Sequence, residues 1–323
     1  MLKVAKFGGS SMADAKQFEK VRDIVRADPA RKVIVVSAAG KRSADDHKLT
    51  DLLYLCYAHL QYGVNCDAVF QMICDRYIAI RDECGLNVDI EAELDVLRRQ
   101  MRAGISEEEL VSRGEYFSAL LMADYLGYSF LDAELWVRFQ FDGSIDKEAS
   151  YAALRRLADG RSVVIPGFYG VTPDRKIRTF SRGGSDITGA LAAAALDADV
   201  YENWTDVSGI LMADPRIVPD PLPIERITYN ELRELSFVGR RCCTRARSSP
   251  CARRISRSTS ATPTTPTTPA RSSWSRSTTW TTVGSSPVSR ARKTTPSSRS
   301  PSPVCPRAWA RSGRCSKCSS ATA

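Results

Sequence analysis

Four short stretches of this chain gather residue types suited to holding an anionic group and moving charge near it. Ser181-Arg182-Gly183-Gly184-Ser185-Asp186 runs directly into the small-residue segment from Ile187 to Leu196. A glycine pair lets the backbone approach a ligand closely. The helix behind it aims free N–H groups and a partial positive charge at the same spot, and Arg182 adds a planar fork of donors. Taken alone, the stretch reads equally as an ordinary glycine turn, capped by Ser185 or Asp186 before a buried alanine helix.

The second stretch is N-terminal. Leu2 to Phe7 reads as a strand running into Gly8-Gly9-Ser10-Ser11, then a helix of about fifteen residues that ends near Pro29. Strand, glycine pair and helix make a phosphate cradle in which Lys6 meets charge on a transferring group. The G-x-x-x-x-G-K-[ST] spacing is absent, so this is not a Walker A loop. The third, Ser112-Arg113-Gly114-Glu115, lies inside a helical pattern continuing through Tyr116, Leu120, Leu121 and Leu126; Glu115 is either a site carboxylate or a surface charge. The fourth, Trp204 to Gly209 leading to Asp214-Pro215-Arg216, follows a strand over 199–203. Thr205 and Asp206 thus fall at a strand's carboxyl end, where open α/β sheets bind ligands.

Together these motifs, with Leu49-Thr50-Asp51-Leu52-Leu53, resemble the aspartate kinases of the amino-acid kinase superfamily, in order and spacing, over residues 1 to 239. The resemblance implies a three-layer αβα sandwich with a mostly parallel sheet. It implies transfer of a phosphoryl group from ATP, with Mg²⁺, to the β-carboxylate of L-aspartate, on the route to lysine, threonine and methionine. By position in the motifs, Lys6, Gly8, Gly9 and Ser10 hold ATP phosphates, and Thr205, Asp206 and Arg216 contact the nucleotide. Thr50, Glu115, Arg182 and Ser185 bind aspartate, and Asp186 is acidic beside the reacting phosphate, so Lys6 and Asp186 are the catalytic pair. Leu211 stands where many relatives carry a tyrosine against the nucleotide. Intact relatives are expected to be homo-oligomers.

Charge divides the chain near Gly239. Residues 1–240 hold 30 lysines and arginines against 37 acidic residues, whereas 241–323 hold 16 basic residues and no Asp or Glu. That tail is rich in Ser, Thr, Pro and Arg and shows no apolar periodicity, so residues 240–323 are expected to be disordered and 1–239 to form an incomplete kinase domain. Codons compatible with Arg240 to Cys251, shifted by one base, spell Ala-Ser-Val-Leu-His-Glu-Gly-Ala-Val-Phe-Pro-Val, the family's usual continuation. The same shift over Ser286 to Thr295 and Gly313 to Ser319 gives pieces resembling the regulatory ACT domains that follow the kinase domain. The tail therefore reads as translated out of frame, with folding and activity impaired, apolar faces of earlier elements left uncovered and one sheet edge unpaired. The competing readings are a glutamate-type amino-acid kinase and a polyanion or nucleic-acid binder acting through the basic tail.

Alternating strands and helices place these motifs. A second strand, Lys32 to Ser37, precedes Ala38-Ala39-Gly40; helices follow over 47–84, 91–103 and 107–126, and strands over 129–132 and 162–166. The Gly167 to Gly170 loop is expected to line the substrate cleft. Cys56, Cys66, Cys74 and Cys84 read as reduced, partly buried residues. No signal peptide and no membrane-length apolar run is present, which points to the cytoplasm and to no membrane or specific nucleic-acid partner.

Overall fold

The computed structural model describes residues 1–181 and 183–205, together with 218–220, 222, 224, 226–228, 231, 257–261 and 279–282. The chain divides into one unit of residues 1–285 and another of 286–323, and the second lies wholly outside the described residues.

β1 (Lys3–Phe7) is buried along its whole length. It is flanked by two parallel neighbours, β2 (Arg31–Val36) and β7 (Val200–Trp204). β4 (Val163–Pro166) pairs in parallel with β2, and β3 (Ser129–Phe130) with β4. Strands covered on both faces need continuous apolar runs, which β2 and β4 supply. Helices α1 (Ala15–Arg26), α2 (Leu49–Gln61), α3 (Asp67–Cys84), α4 (Ile90–Ala103) and α5 (Glu107–Leu126) share one apolar cluster with Ala5, Phe7, Ile34 and Val36. Helices α6 (Lys147–Ala158) and α7 (Gly184–Ala195) share the other with Val4, Val33, Val35 and Tyr201. This is the three-layer arrangement the sequence implies. Because side chains alternate along a strand, Lys6 falls on the α7 side with Val4.

Several details differ from the sequence expectation. Helix α1 starts at Ala15, because Gly9–Met12 forms a tight 3-10 turn and the Asp14 carboxylate caps α1 by accepting from the Gln17 N–H at 2.9 Å. The helical region 47–84 is two helices, α2 and α3, separated by a turn in which Gly63 has φ +65°. Helix α6 and the antiparallel hairpin of β5 (Tyr169–Val171) and β6 (Ile177–Thr179) have no counterpart in the sequence reading. The far edge of β7 is paired too. β9 (Arg257–Ala261) runs parallel to it, β10 (Thr279–Thr282) joins β9, and β8 (Arg226–Thr228) closes the order antiparallel. These two tail segments, expected to be disordered, are extended. An open edge offers backbone groups that any extended chain satisfies, and Ser and Thr tolerate that conformation. The rest of the tail lies outside the described residues.

Helix α7 lies close against β7. A Cβ at Gly189 would come within 2.7 Å of the Tyr201 ring, whose hydroxyl donates to the Asp186 carbonyl at 3.3 Å. Gly189→Ala is expected to cost about 1–3 kcal/mol through overpacking. A chemical-denaturation midpoint equal to that of the native chain would contradict this packing.

Candidate functional site

The carboxyl ends of β1, β2, β4 and β7 form one floor. Lys6, next to last in β1, places its ammonium 2.9 Å from Asp186 Oδ1, with the two side chains 9% and 6% exposed. Removing one member of a pair this buried typically costs about 3–5 kcal/mol, so the contact fixes both groups. The Gly8 N–H donates to the Trp204 carbonyl at 3.2 Å, and the Ser11 N–H to the Gly8 carbonyl at 3.0 Å. Gly8 and Gly9 are half-buried there and Ser10 is exposed. Trp204 is itself held from behind. Its ring stacks on Phe7 at 5.8 Å, and its indole N–H donates at 3.0 Å to Glu202, which also meets Arg31 at 2.6 Å and Lys3 at 3.0 Å. Thr205, half-buried, leaves β7 directly after this anchor.

Two groups here were not singled out from sequence. The buried Ser11 hydroxyl and the Asn203 side-chain oxygen have no hydrogen-bond partner among the described residues. Asn203 lies beside Lys6 in the β1–β7 register and so shares its face. An amide inside an otherwise buried strand, two residues before Thr205, was the available signal.

Above this floor sits the N-terminus of α7. Gly183 adopts φ +61° and no side chain caps the first turn, which leaves the helix end suited to an anion. Ser185 and Asp186 occupy that turn and are 8% and 5% exposed. The loop after β4 holds the turn in place: the Gly167 N–H donates to the Val36 carbonyl at 2.9 Å, and the Phe168 N–H to Thr188 Oγ1 at 3.1 Å. Phe168 has φ +79°, a strained conformation at a residue that borders Gly184, and the preceding Gly167 lies against Ser185. Of the expected cleft loop 167–170, Tyr169 and Gly170 already belong to β5.

The acceptor side is built on the connection leaving β2. Glu115, in the middle of α5, is 5% exposed, so it is not a surface charge. Burial pushes its carboxyl up to about 8, partly offset by a hydrogen bond from the Ala38 N–H. Its Oε2 has no partner among the described residues. The Gly40 N–H donates to the Gly9 carbonyl at 2.8 Å, and a Cβ on Gly40 would fall 2.6 Å from the Gly9 carbonyl carbon. Only glycine permits that approach. The Leu49 N–H then donates to the Ala39 carbonyl at 3.2 Å, bringing half-buried Thr50 into the first turn of α2.

Lys6, Gly8, Gly9, Ser10, Ser185, Asp186 and Thr205 are thus assembled around the ends of β1 and β7, with Thr50 and Glu115 joined to them through Ala38, Ala39 and Gly40. Arg182, Asp206, Leu211 and Arg216 lie outside the described residues. Among the described residues no three His, Cys, Asp or Glu side chains cluster in a way that would hold a metal by themselves, and no helix is long and apolar enough to cross a membrane. Cys56, Cys66, Cys74 and Cys84 are free thiols, and burial pushes Cys56 up to about 12.

The model of the amino acid kinase family matches residues 1–251. Aspartokinase 3 of Bacillus subtilis is 38% identical over 253 residues, covering 74% of this chain and 56% of that protein. The aspartate kinase of Clostridium acetobutylicum, known in crystal form, is 45% identical with a TM-score of 0.73, over 77% of this chain and 57% of that one. Escherichia coli aspartokinase III in complex with aspartate and ADP is 28% identical with a TM-score of 0.71, over 82% and 63%. The chain therefore spans somewhat more than half the length of these relatives. A parallel sheet with its glycine turns and ion pair at the carboxyl ends, matched across this range, places the chain in the amino acid kinase family.

Proposed function

We propose that this chain carries the catalytic part of an aspartate kinase, which transfers the γ-phosphoryl group of ATP to the β-carboxylate of L-aspartate. The observation that carries this reading is the buried Lys6–Asp186 pair beside a buried Glu115 whose outer oxygen has no partner among the described residues, the two joined by the Gly9–Gly40 contact. The E. coli relative's complex with aspartate and ADP supports it.

The acceptor carboxylate is ionised at neutral pH, so it attacks phosphorus directly and no protein nucleophile is needed. Lys6, the N–H groups of the glycine turn and the α7 N-terminus neutralise charge on the transferring group. Glu115 takes the substrate ammonium on its free oxygen, Arg182 grips a carboxylate bidentately, and Thr50 and Ser185 add hydroxyls. Thr205, Asp206 and Arg216 hold the nucleotide. Magnesium needs only one or two protein carboxylates when phosphates supply the rest, so Asp186 would suffice to hold it from the protein side. When bound, that ion adds Lewis-acid charge neutralisation. ATP and L-aspartate are the small-molecule partners.

The region after Gly239 weakens this activity in the chain as written. The sequences of β9 and β10 are mainly Ser, Thr and Arg, with Ala261 and Trp280 as their only apolar residues, and so offer little of the apolar surface that a strand covered by helices needs. The 16 unopposed cations of residues 241–323 favour a second property, salt-dependent adhesion to polyanions.

In a coupled ADP-release assay, aspartate should support turnover and glutamate should not, with the chain as written far slower than one whose frame is restored before Arg240. Equal rates for the two chains would overturn the impairment, and preference for glutamate would overturn the acceptor. Heparin retention should vanish on truncation after Gly239. Glu115 gives a pH prediction. Its carboxyl keeps its proton in the folded state up to about 8 but loses it near 4.5 when unfolded, so stability falls as pH rises through that interval. Glu115→Gln should flatten the fall and raise the ligand-free Tm at pH 9 by a few degrees, the size about 1–2 kcal/mol produces. Melting curves of the two chains from pH 5 to 9 check this.

A further inference from the structure

Arg76, on α3, is only 5% exposed and is not among the residues of the transfer machinery proposed above. Its guanidinium donates to the Gly40 carbonyl at 3.1 Å and to both carboxylate oxygens of Asp46 at 2.8 Å. Asp46 also accepts from the Arg42 N–H at 2.9 Å and from the Arg42 guanidinium at 3.0 and 3.2 Å. One carboxylate therefore folds the β2–α2 connection back on itself and ties it to α3. Arg42 and Arg76 hold the Asp46 carboxyl well below the usual carboxylate range, so the tie persists at any physiological pH.

This connection bears on both halves of the site. At its start, Gly40 is the residue in backbone contact with Gly9; at its end it delivers Thr50. The glycine turn has supports of its own in the Gly8–Trp204 and Ser11–Gly8 hydrogen bonds. The connection is different: residues 41–45, 47 and 48 are exposed and pack no side chain into either apolar cluster. What fixes its path is the set of bonds converging on Asp46 and Gly40.

Resting on the aspartate kinase reading above, we propose that Arg76 is a positioning residue that, through Asp46 and Gly40, clamps the 40–48 connection against the glycine turn and so preforms the acceptor half of the site. The clamp should act on acceptor binding more than on nucleotide binding, because the glycine turn keeps its shape without it.

The test uses the full chain with Arg76→Met, Arg76→Lys and Asp46→Asn. Limited trypsin digestion, read by mass spectrometry, follows cleavage after Lys41, Arg42 and Lys48 relative to the equally exposed Lys20 and Arg99. Arg76→Met and Asp46→Asn should speed cleavage in the connection by about tenfold through local opening while the reference sites stay nearly unchanged, even though losing one member of a buried pair lowers the Tm. Arg76→Lys should restore part of the protection. In the ADP-release assay the aspartate KM should rise about tenfold while kcat and the ATP KM change by less than about threefold. Unchanged cleavage in both variants overturns the clamp, as does acceleration at every site together with a lower Tm. Faster local cleavage with an unchanged aspartate KM overturns the link to the acceptor. If Arg76→Met does not fold, Asp46→Asn, at the edge of the connection, carries the comparison. If the chain as written turns over too little aspartate to measure, the kinetic comparison is made in the chain whose frame is restored; no aspartate turnover there makes the acceptor reading fail by itself, and the cleavage pattern still decides the clamp.

Discussion

The arrangement of the whole site depends on one backbone contact, that between Gly9 and Gly40. Two crossings leave the sheet side by side from β1 and β2, and they meet so closely that neither side chains nor water separate them. One crossing is anchored to β7 through the Trp204 carbonyl, the other to α5 through Ala38 and to α2 through Ala39. Groups that would otherwise belong to separate loops, Lys6 on one side and Thr50 and Glu115 on the other, are thereby held on a single rigid framework. Rigidity of this kind is what phosphoryl transfer asks of a protein, since its contribution is position and charge.

Charge is placed against solvent-excluded surroundings at three levels around this contact. Nearest the strand ends is the Lys6–Asp186 pair; behind Trp204, Glu202 binds Lys3 and Arg31; under the β2–α2 connection, Arg76 binds Asp46. The second and third lie outside the residues proposed to touch substrate. Their value lies in direction: each fixes a backbone segment, after β7 or after β2, that carries residues of the site. Buried pairs are poor sources of net stability but firm determinants of geometry.

Much of this was legible in the sequence, and the reasons are local. The apolar runs of β2 and β4 announce strands covered on both faces, and the glycine pairs before Ser10 and Ser185 mark turns at strand or helix ends. Glu115 was ambiguous because helical periodicity places it on a face without saying what covers that face; only the packing of α5 against the Ala38 turn decides it. Asn203 showed only as an amide in an otherwise buried strand and Ser11 only as part of the glycine turn; what each faces, like the Arg76–Asp46 clamp between different elements, is set by residues the fold brings together. The break between α2 and α3 rests on a single glycine within helix-compatible residues. The pairing of β9 with β7 escaped the reading because edge pairing is made by backbone groups, which sequence composition does not label.

Glu115 has a consequence beyond geometry. A carboxyl that keeps its proton at neutral pH cannot neutralise an ammonium until that proton departs, so on the proposed acceptor reading capture of a zwitterion would exchange one cation for another. The proton goes to the buffer. Heats of binding measured in buffers of different ionisation enthalpy would consequently diverge by the fraction of a proton released, even where the affinity at a fixed pH is the same.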